Sequence, residues 1–253
     1  MAACGVSEGR VAIVTGGASG IGSAVSRMLA RRGDRVAVVD LQPPAAGARD
    51  GPGPATFVRA DVSSHTDARD AVVRVLDEHG KLDVLVNCAG ALGPAGLLSA
   101  DEADVHRVIA VNLMGTMHMC KYAIAGMRAN GGGAIVNVGS ISAVTGSLDA
   151  PAYAAAKAGV VAFTKSLARK YARHNIRANC VCPGSVLTTN FLKASRGVDA
   201  TPPERLALAR AIPIGRCVDP DEVATLVGFI TSRECDALNG ATIVLDGGEV
   251  LGA

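Results

Sequence analysis

Tyr153 and Lys157 stand four residues apart in Tyr153-Ala154-Ala155-Ala156-Lys157. A helix therefore sets the phenol and the ammonium one turn apart on one face. A free phenol titrates near ~10, and a neighbouring ammonium favours the phenolate. A phenol so placed can give or take the proton of a hydroxyl. An isolated Tyr–Lys pair is common on helix surfaces, but the flanks here are unusual. Ala152, Ala154, Ala155, Ala156, Ala158 and Gly159 make a small-residue helix that can pack closely. Ser140 lies thirteen residues before Tyr153, at the end of an apolar run that reads as a strand.

A second constellation is Thr15-Gly16-Gly17-Ala18-Ser19-Gly20-Ile21-Gly22, between the apolar run Val11–Val14 and a helical pattern. In that context glycines have separate uses. Gly16 permits a turn, Gly20 lets the backbone approach a pyrophosphate, and Gly22 lets the helix pack close to the strand. The helix N-terminus adds N–H groups and a favourable dipole. Asp40 ends the next apolar run, about twenty residues beyond the loop. A carboxylate there accepts hydrogen bonds from both adenosine ribose hydroxyls and repels a 2′-phosphate. Ser19, Leu41 and Gln42 bring no cation to that place, so the reading is NAD rather than NADP. A proton-moving phenol beside a dinucleotide argues for hydride chemistry on an alcohol or ketone, with no metal.

Parallel strands alternating with helices would position these groups. Apolar runs predict strands over Val11–Val14, Val36–Asp40, Thr56–Val62, Leu82–Asn87, Ala134–Val138, Ile176–Cys182 and Ala241–Leu245. Helical periodicity covers 21–32, 66–79, about 101–128, 152–173 and 219–231. The fold class is α/β: a single-domain Rossmann fold over 1–253, its doubly wound parallel sheet of about seven strands carrying helices on both faces. The Pro-, Gly- and Ala-rich stretch Leu41–Pro54 reads as a loop, and 185–212 as a substrate-binding lid.

Of the 253 residues, 49% are hydrophobic and 19% charged, which excludes a disordered chain. A net charge of +2 with scattered Lys and Arg gives no nucleic-acid footprint. The start, MAACGVSEGR, has no apolar h-region. No apolar run reads as long enough to cross a bilayer, so no membrane partner is expected. Seven spread-out cysteines do not make a disulfide framework. They suit a reducing, cytoplasmic setting. Cys180-Val181-Cys182 would put two thiols on one strand face, without a second pair at zinc spacing.

The TGGASGIG loop and the Ser140…Tyr153-x-x-x-Lys157 pattern resemble the classical short-chain dehydrogenase/reductase family. The resemblance runs from Arg10 to Leu245-Asp246-Gly247-Gly248. It implies that Tyr153 is the general acid/base, that Lys157 binds the nicotinamide ribose and favours the ionised phenol, and that Ser140 holds the substrate oxygen. Ser142 competes for that last role. Asn112, in Val111-Asn112-Leu113, matches the family's helix Asn, which holds a water in the proton relay. Gly16, Ser19, Gly20, Ile21, Gly22, Asp40 and Leu41 would line the adenosine and pyrophosphate, with Asp61-Val62 at the adenine. Asn87-Cys88-Ala89-Gly90 matches the turn that floors the cofactor, through Asn87, Ala89 and Gly90. In Pro183-Gly184-Ser185-Val186-Leu187-Thr188, the backbone of Val186 would meet the carboxamide and the Thr188 side chain assist. Thr189 is the alternative Thr. The resemblance also implies a homotetramer built on the helices at 101–128 and 153–173. Tyr122 and Tyr171 then read as interface or packing residues.

Pocket walls are expected from Ala91–Gly96, Ile141–Val144 and Val186–Arg210. Their apolar members Ala91, Leu92, Ile141, Val144, Leu187, Phe191 and Leu192 suggest a pocket for an apolar or moderately polar secondary alcohol or ketone, while Lys193 and Arg196 read as residues of a solvated lid ahead of a contact with an anionic group. Three alternatives compete with this reading. A 3-oxoacyl-carrier-protein reductase could use Arg128, Arg169 and Lys170 as a landing patch, but relatives of that kind prefer NADPH and Asp40 argues otherwise. A non-catalytic NAD-binding regulator need not keep Asn112, Ser140, Tyr153 and Lys157 together. A sugar-nucleotide epimerase would be longer, with another glycine spacing.

Overall fold

The Val- and Ile-rich runs pair as continuous buried strands, the pattern of a parallel sheet covered on both faces. A computed structural model describes residues 9–44, 55–93, 96–188, 207 and 209–251. Its strands are β1 (Val11–Thr15), β2 (Arg35–Asp40), β3 (Ala55–Arg59), β4 (Val84–Asn87), β5 (Gly133–Val138), β6 (Ile176–Pro183) and β7 (Thr242–Leu245). They form one sheet of seven in the order β3-β2-β1-β4-β5-β6-β7, with every pairing parallel. The helices are α1 (Gly20–Arg31), α2 (His65–His79), α3 (Glu102–Ile109), α4 (Gly115–Ala129), α5 (Ser142–Thr145), α6 (Pro151–Tyr171) and α7 (Pro220–Ile230).

Side chains alternate across each strand, so the sheet carries two cores. Ile13, Leu85 and Ile135 pack with Met119 and Met127 of α4, Val72 of α2 and Leu167 of α6. Val14, Val86 and Val136 pack on the other face with Leu29 of α1 and Val227 and Ile230 of α7. Tyr122 and Tyr171 pack against the first core, and Tyr122 Oη meets His65 Nε2 at 2.6 Å.

Two expectations need correction. The third strand stops at Arg59, not Val62, because Asp61 Oδ1 accepts from both the N–H (2.9 Å) and the hydroxyl (2.7 Å) of Ser63 and turns the chain. The helical run Glu102–Ala129 is, at 28 residues, long and apolar enough to cross a membrane by length and composition. Its apolar face instead covers the sheet, with Met119, Cys120, Ala123 and Met127 buried there. That run is not uniform. Ala110–Met114 is a π-helical turn, closed by the Gly115 N–H donating to the Ala110 carbonyl. Such turns are frequent at functional sites.

α7 shows how locally these helices are specified. The Asp219 carboxylate accepts from the Asp221 N–H at 2.8 Å, and Glu222 Oε2 accepts from the Asp219 N–H at 2.9 Å, with Pro220 at the first position. Arg216 binds both Glu222 oxygens, at 2.7 and 2.8 Å, and draws that carboxyl down to about 2. Its contribution to folding is thus present above ~4.5, the ordinary carboxylate range, and fades as pH falls towards 2. Asp219→Ala is expected to cost about 1 kcal/mol, read as a lower urea midpoint at unchanged slope.

Candidate active site

The strand order reverses between β1 and β4, and the crevice beyond the carboxyl ends of strands at such a point is where open α/β sheets bind ligands. Both edges of this crevice are built by residues of the expected kind. Gly16 (φ 63°) and Gly20 (φ 51°) take left-handed backbone, which glycine adopts without steric cost. A Cβ on Gly16 would stand 2.8 Å from the Ala89 N and Cα. A Cβ on Gly22 would collide with the Gly16 carbonyl. Gly22 therefore lets α1 close on the glycine loop where it leaves β1. Thr15 ties the two edges: its Oγ1 accepts from the N–H of Cys88 and of Ala89, both at 3.1 Å.

α1 begins inside this loop with no acidic residue in its first turn, so its positive end is available to an anion. Ser19 is exposed at that end and Ile21 is half-buried against the second core. Asp40 closes β2 beside the loop, its Oδ2 accepting from the Ala18 N–H at 3.0 Å and its Oδ1 from the Gln42 N–H at 3.3 Å. Leu41 is exposed next to it. The glycine cradle, the helix end and the carboxylate fit a dinucleotide. Asp61 and Val62 follow β3. The carbonyl of Val62 faces His118 Nδ1 at 3.2 Å, and its side chain packs on Gly115.

The catalytic candidates converge from three elements. α6 holds Tyr153 and Lys157 one turn apart, with the Lys157 Nζ 5.7 Å from the Tyr153 ring centroid. Lys157 is only 4% exposed, and its ammonium donates to the Val138 carbonyl at 2.7 Å. Ser140 lies two residues beyond Val138, its Oγ accepting from the Ser142 N–H at 3.1 Å. The Ser142 backbone thus orients the Ser140 hydroxyl. Asn112 sits in the π-helical turn, its amide donating to the carbonyls of Ala91 (2.7 Å) and Val108 (2.8 Å). Its Oδ1 is buried without a hydrogen-bond partner. Gly90 lies between the two: a Cβ there would be 2.9 Å from Asn112 Oδ1 and 3.8 Å from Lys157 Nζ.

The floor of the site is more polar than the sequence reading allowed. Asn87 and Asn137 are register partners on β4 and β5. The Asn87 amide donates to Asn137 Oδ1 at 2.9 Å, and the Asn137 amide donates to Thr164 Oγ1 at 2.9 Å. Asn87, expected against the cofactor, is 3% exposed and belongs to this floor. An asparagine inside the apolar run Ala134–Val138 was the available signal for Asn137. Cys180 and Cys182 share the β6 face turned to α6, Sγ atoms 3.9 Å apart. The contact with Cys180 draws the Cys182 thiol down against the opposing effect of burial, with the Ser140 N–H and Lys157 assisting. The same contact, with burial, pushes Cys180 up.

Pro183, Gly184, Val186 and Thr188 run along the carboxyl end of β6. Thr188 Cγ2 lies 3.2 Å from where a Cβ on Gly20 would stand, so this turn faces the glycine loop across the cleft. Beside Tyr153 a hollow is lined by Gly93, Gly96, Leu97, Ala100, Val105 and Ala150–Ala152. Among the described residues its lining carries no charged side chain. Leu97, Leu98, Val144, Leu148 and Leu187 are exposed. Leu97, Leu98 and Leu148 lie on the two loops that join where the Gly96 N–H donates to the Asp149 carbonyl at 2.7 Å. Thr189, Phe191, Leu192, Lys193 and Arg196 lie outside the described residues. Arg169 and Lys170 are in the last turn of α6. Sixteen residues of helix, about 24 Å, separate Arg169 from Tyr153, so the expected basic landing patch is at the far end from the chemistry.

A family model described as enoyl-(acyl carrier protein) reductase matches residues 16–249. The chain belongs to the classical short-chain dehydrogenase/reductase family. It is 41% identical over 244 residues to cis-4-hydroxycyclohexanecarboxylate dehydrogenase of Sinomonas cyclohexanicum, covering 94% of this chain and 96% of that one. It is 37% identical over 245 residues to a 3-oxoacyl-[acyl-carrier-protein] reductase of Chlamydia pneumoniae, covering 95% and 96%. Among solved structures, levodione reductase superposes with a TM-score of 0.90 at 28% identity, over 96% of this chain and 98% of that one. The protein is thus an oxidoreductase of this family, whose dehydrogenases generally use a nicotinamide cofactor.

Proposed function

We propose that this protein is an NAD-dependent oxidoreductase acting on a small, uncharged secondary alcohol or ketone. The observation that carries the reading is the Tyr153–Lys157 pair, set between the glycine-lined cleft and an apolar hollow. A bound nicotinamide supplies the hydride chemistry. Tyr153 Oη exchanges the hydroxyl proton, Ser140 Oγ holds the same oxygen, and Lys157 fixes the ribose side from its buried position. The orphaned Asn112 Oδ1 and the Asn112 backbone belong to the proton path on the inner side of Lys157. The uncharged residues beside Tyr153 give the substrate's carbon skeleton an apolar wall.

Asp40 supports NAD over NADP, because an acceptor at the end of β2 suits two ribose hydroxyls and repels a phosphate. The small exposed residues Ala155, Ala158 and Ala162 on α6 support assembly into a homotetramer through α4 and α6. The free cysteines among the described residues suit a cytoplasmic location.

The test is formation of reduced nicotinamide, with NAD and with NADP, across secondary alcohols, polyols, hydroxy acids and hydroxysteroids. Turnover of uncharged apolar alcohols with NAD is the expected result. Tight NADH binding without turnover on any member, or on the matching ketones in reverse, would favour the non-catalytic regulator. Asp40→Ala is expected to lower the NAD-to-NADP ratio of kcat/KM by roughly tenfold, the scale of a lost hydrogen bond to a charged group. An unchanged ratio means that Asp40 does not read the ribose.

A further inference from the structure

The cleft wall opposite the glycine loop is held from outside by the far end of the chain. Ser185 is 7% exposed, and its three polar groups are all engaged. Its N–H donates to Glu249 Oε2 at 2.7 Å and its hydroxyl to Glu249 Oε1 at 2.8 Å. Its carbonyl accepts from the Val218 N–H at 2.9 Å. Glu249 opens a short 3₁₀ turn, Glu249–Leu251, just after β7. Asp246 fixes that turn, accepting from the N–H groups of Gly248 and Val250, each at 2.8 Å. The approach is tight: a Cβ on Gly184 would stand 2.6 Å from Glu249 Oε2 and 2.7 Å from Asp246 Cβ. Val186, next in line, bridges to Val218, and Thr188 meets Gly20 across the cleft.

We propose that Glu249 is a positioning residue for the nicotinamide end of the cleft. Two donors on one residue point at its two carboxylate oxygens, an arrangement of charge-assisted bonds that fixes Ser185 in distance and direction. Val186–Thr188 then stand at a set height above Gly20, and the width of the cleft there follows from the clamp. Glu249 acts through Ser185 and needs no contact with the substrate. The proposal rests on the nicotinamide reading given above.

The experiment compares NADH with ADP-ribose, which lacks the nicotinamide, by fluorescence and calorimetric titration of the full-length chain. Glu249→Ala is expected to weaken NADH about tenfold and to leave ADP-ribose unchanged. Glu249→Gln restores NADH affinity to within about threefold, because its oxygen accepts the Ser185 N–H and its amide donates to the Ser185 oxygen. Ser185→Ala, which removes only the hydroxyl bond, weakens NADH by a smaller factor and has no further effect in the Glu249→Ala background. Equal loss of both ligands in Glu249→Ala, or unchanged NADH binding, overturns the clamp. If Glu249→Ala does not fold, Ser185→Ala and Glu249→Gln decide: NADH affinity equal to wild type in the first, or tenfold weaker in the second, refutes it. A wild-type chain that binds NADH no tighter than ADP-ribose refutes the nicotinamide reading, and the clamp with it.

Discussion

Tyr153→Phe lowers turnover by roughly 10²–10⁴-fold while NADH binding stays within about twofold. The substitution removes one oxygen and keeps the ring, so packing against Lys157 is conserved. The ring sits at the edge of the hollow and is half-buried, a place that a phenylalanine ring fills equally well. What disappears is the group that exchanges a proton with the substrate oxygen. Ser140 still holds that oxygen, so substrate KM moves little while kcat collapses, the signature of an interaction made in the transition state. A variant within a few-fold of wild-type kcat would remove Tyr153 from the acid/base role.

Lys157→Met has the second largest effect, and it differs in kind. Methionine matches the length of the stem and suits a site that is 4% exposed, so the protein folds. The Val138 carbonyl loses its 2.7 Å donor, and leaving it buried and unpaired costs ~1–3 kcal/mol of stability. The ammonium beside the phenol is lost together with the cation expected at the ribose. Turnover is expected to fall by at least about 10²-fold and NADH affinity by about tenfold. A split between the two variants, with Tyr153→Phe sparing cofactor affinity and Lys157→Met reducing it, separates proton exchange from cofactor holding. Identical profiles would show that the two side chains do not divide the work in this way.

The sequence made the strands, the glycine loop and the Tyr–Lys turn legible for one reason: each is a local pattern. Val11–Val14 followed by four closely spaced glycines, or a tyrosine four residues before a lysine, needs no knowledge of distant residues. The clamp on Ser185 was not legible, because residues 64 positions apart share no periodicity and meet only once β6 and β7 are paired. The π-helical turn was hidden inside a periodic apolar run that reads equally well as an unbroken helix. No apolar run within it reads as long enough to span a bilayer, because its apolar residues form a face rather than a continuous block. The bond from the Ser142 backbone N–H to Ser140 Oγ was not legible either, because it depends on how the chain turns after β5.

The paired amides on β4 and β5 carry a consequence for how the catalytic loops stay level with each other. Asn87 and Asn137 stand directly opposite in register. Asn87 ends β4 and Asn137 is the last residue but one of β5, each just short of a working loop: Ala89-Gly90 on one side, Gly139-Ser140 on the other. A slip of either strand by one residue would turn one amide to the opposite face and set Val136 or Val138 opposite Asn87. In a dry interior that mismatch is costly, whereas a slip between two purely aliphatic strands changes little but packing. The amide rung thus works as a gauge block. It sets the heights of the two loops against each other before any ligand arrives, and insertions in the surface connections leave that setting untouched.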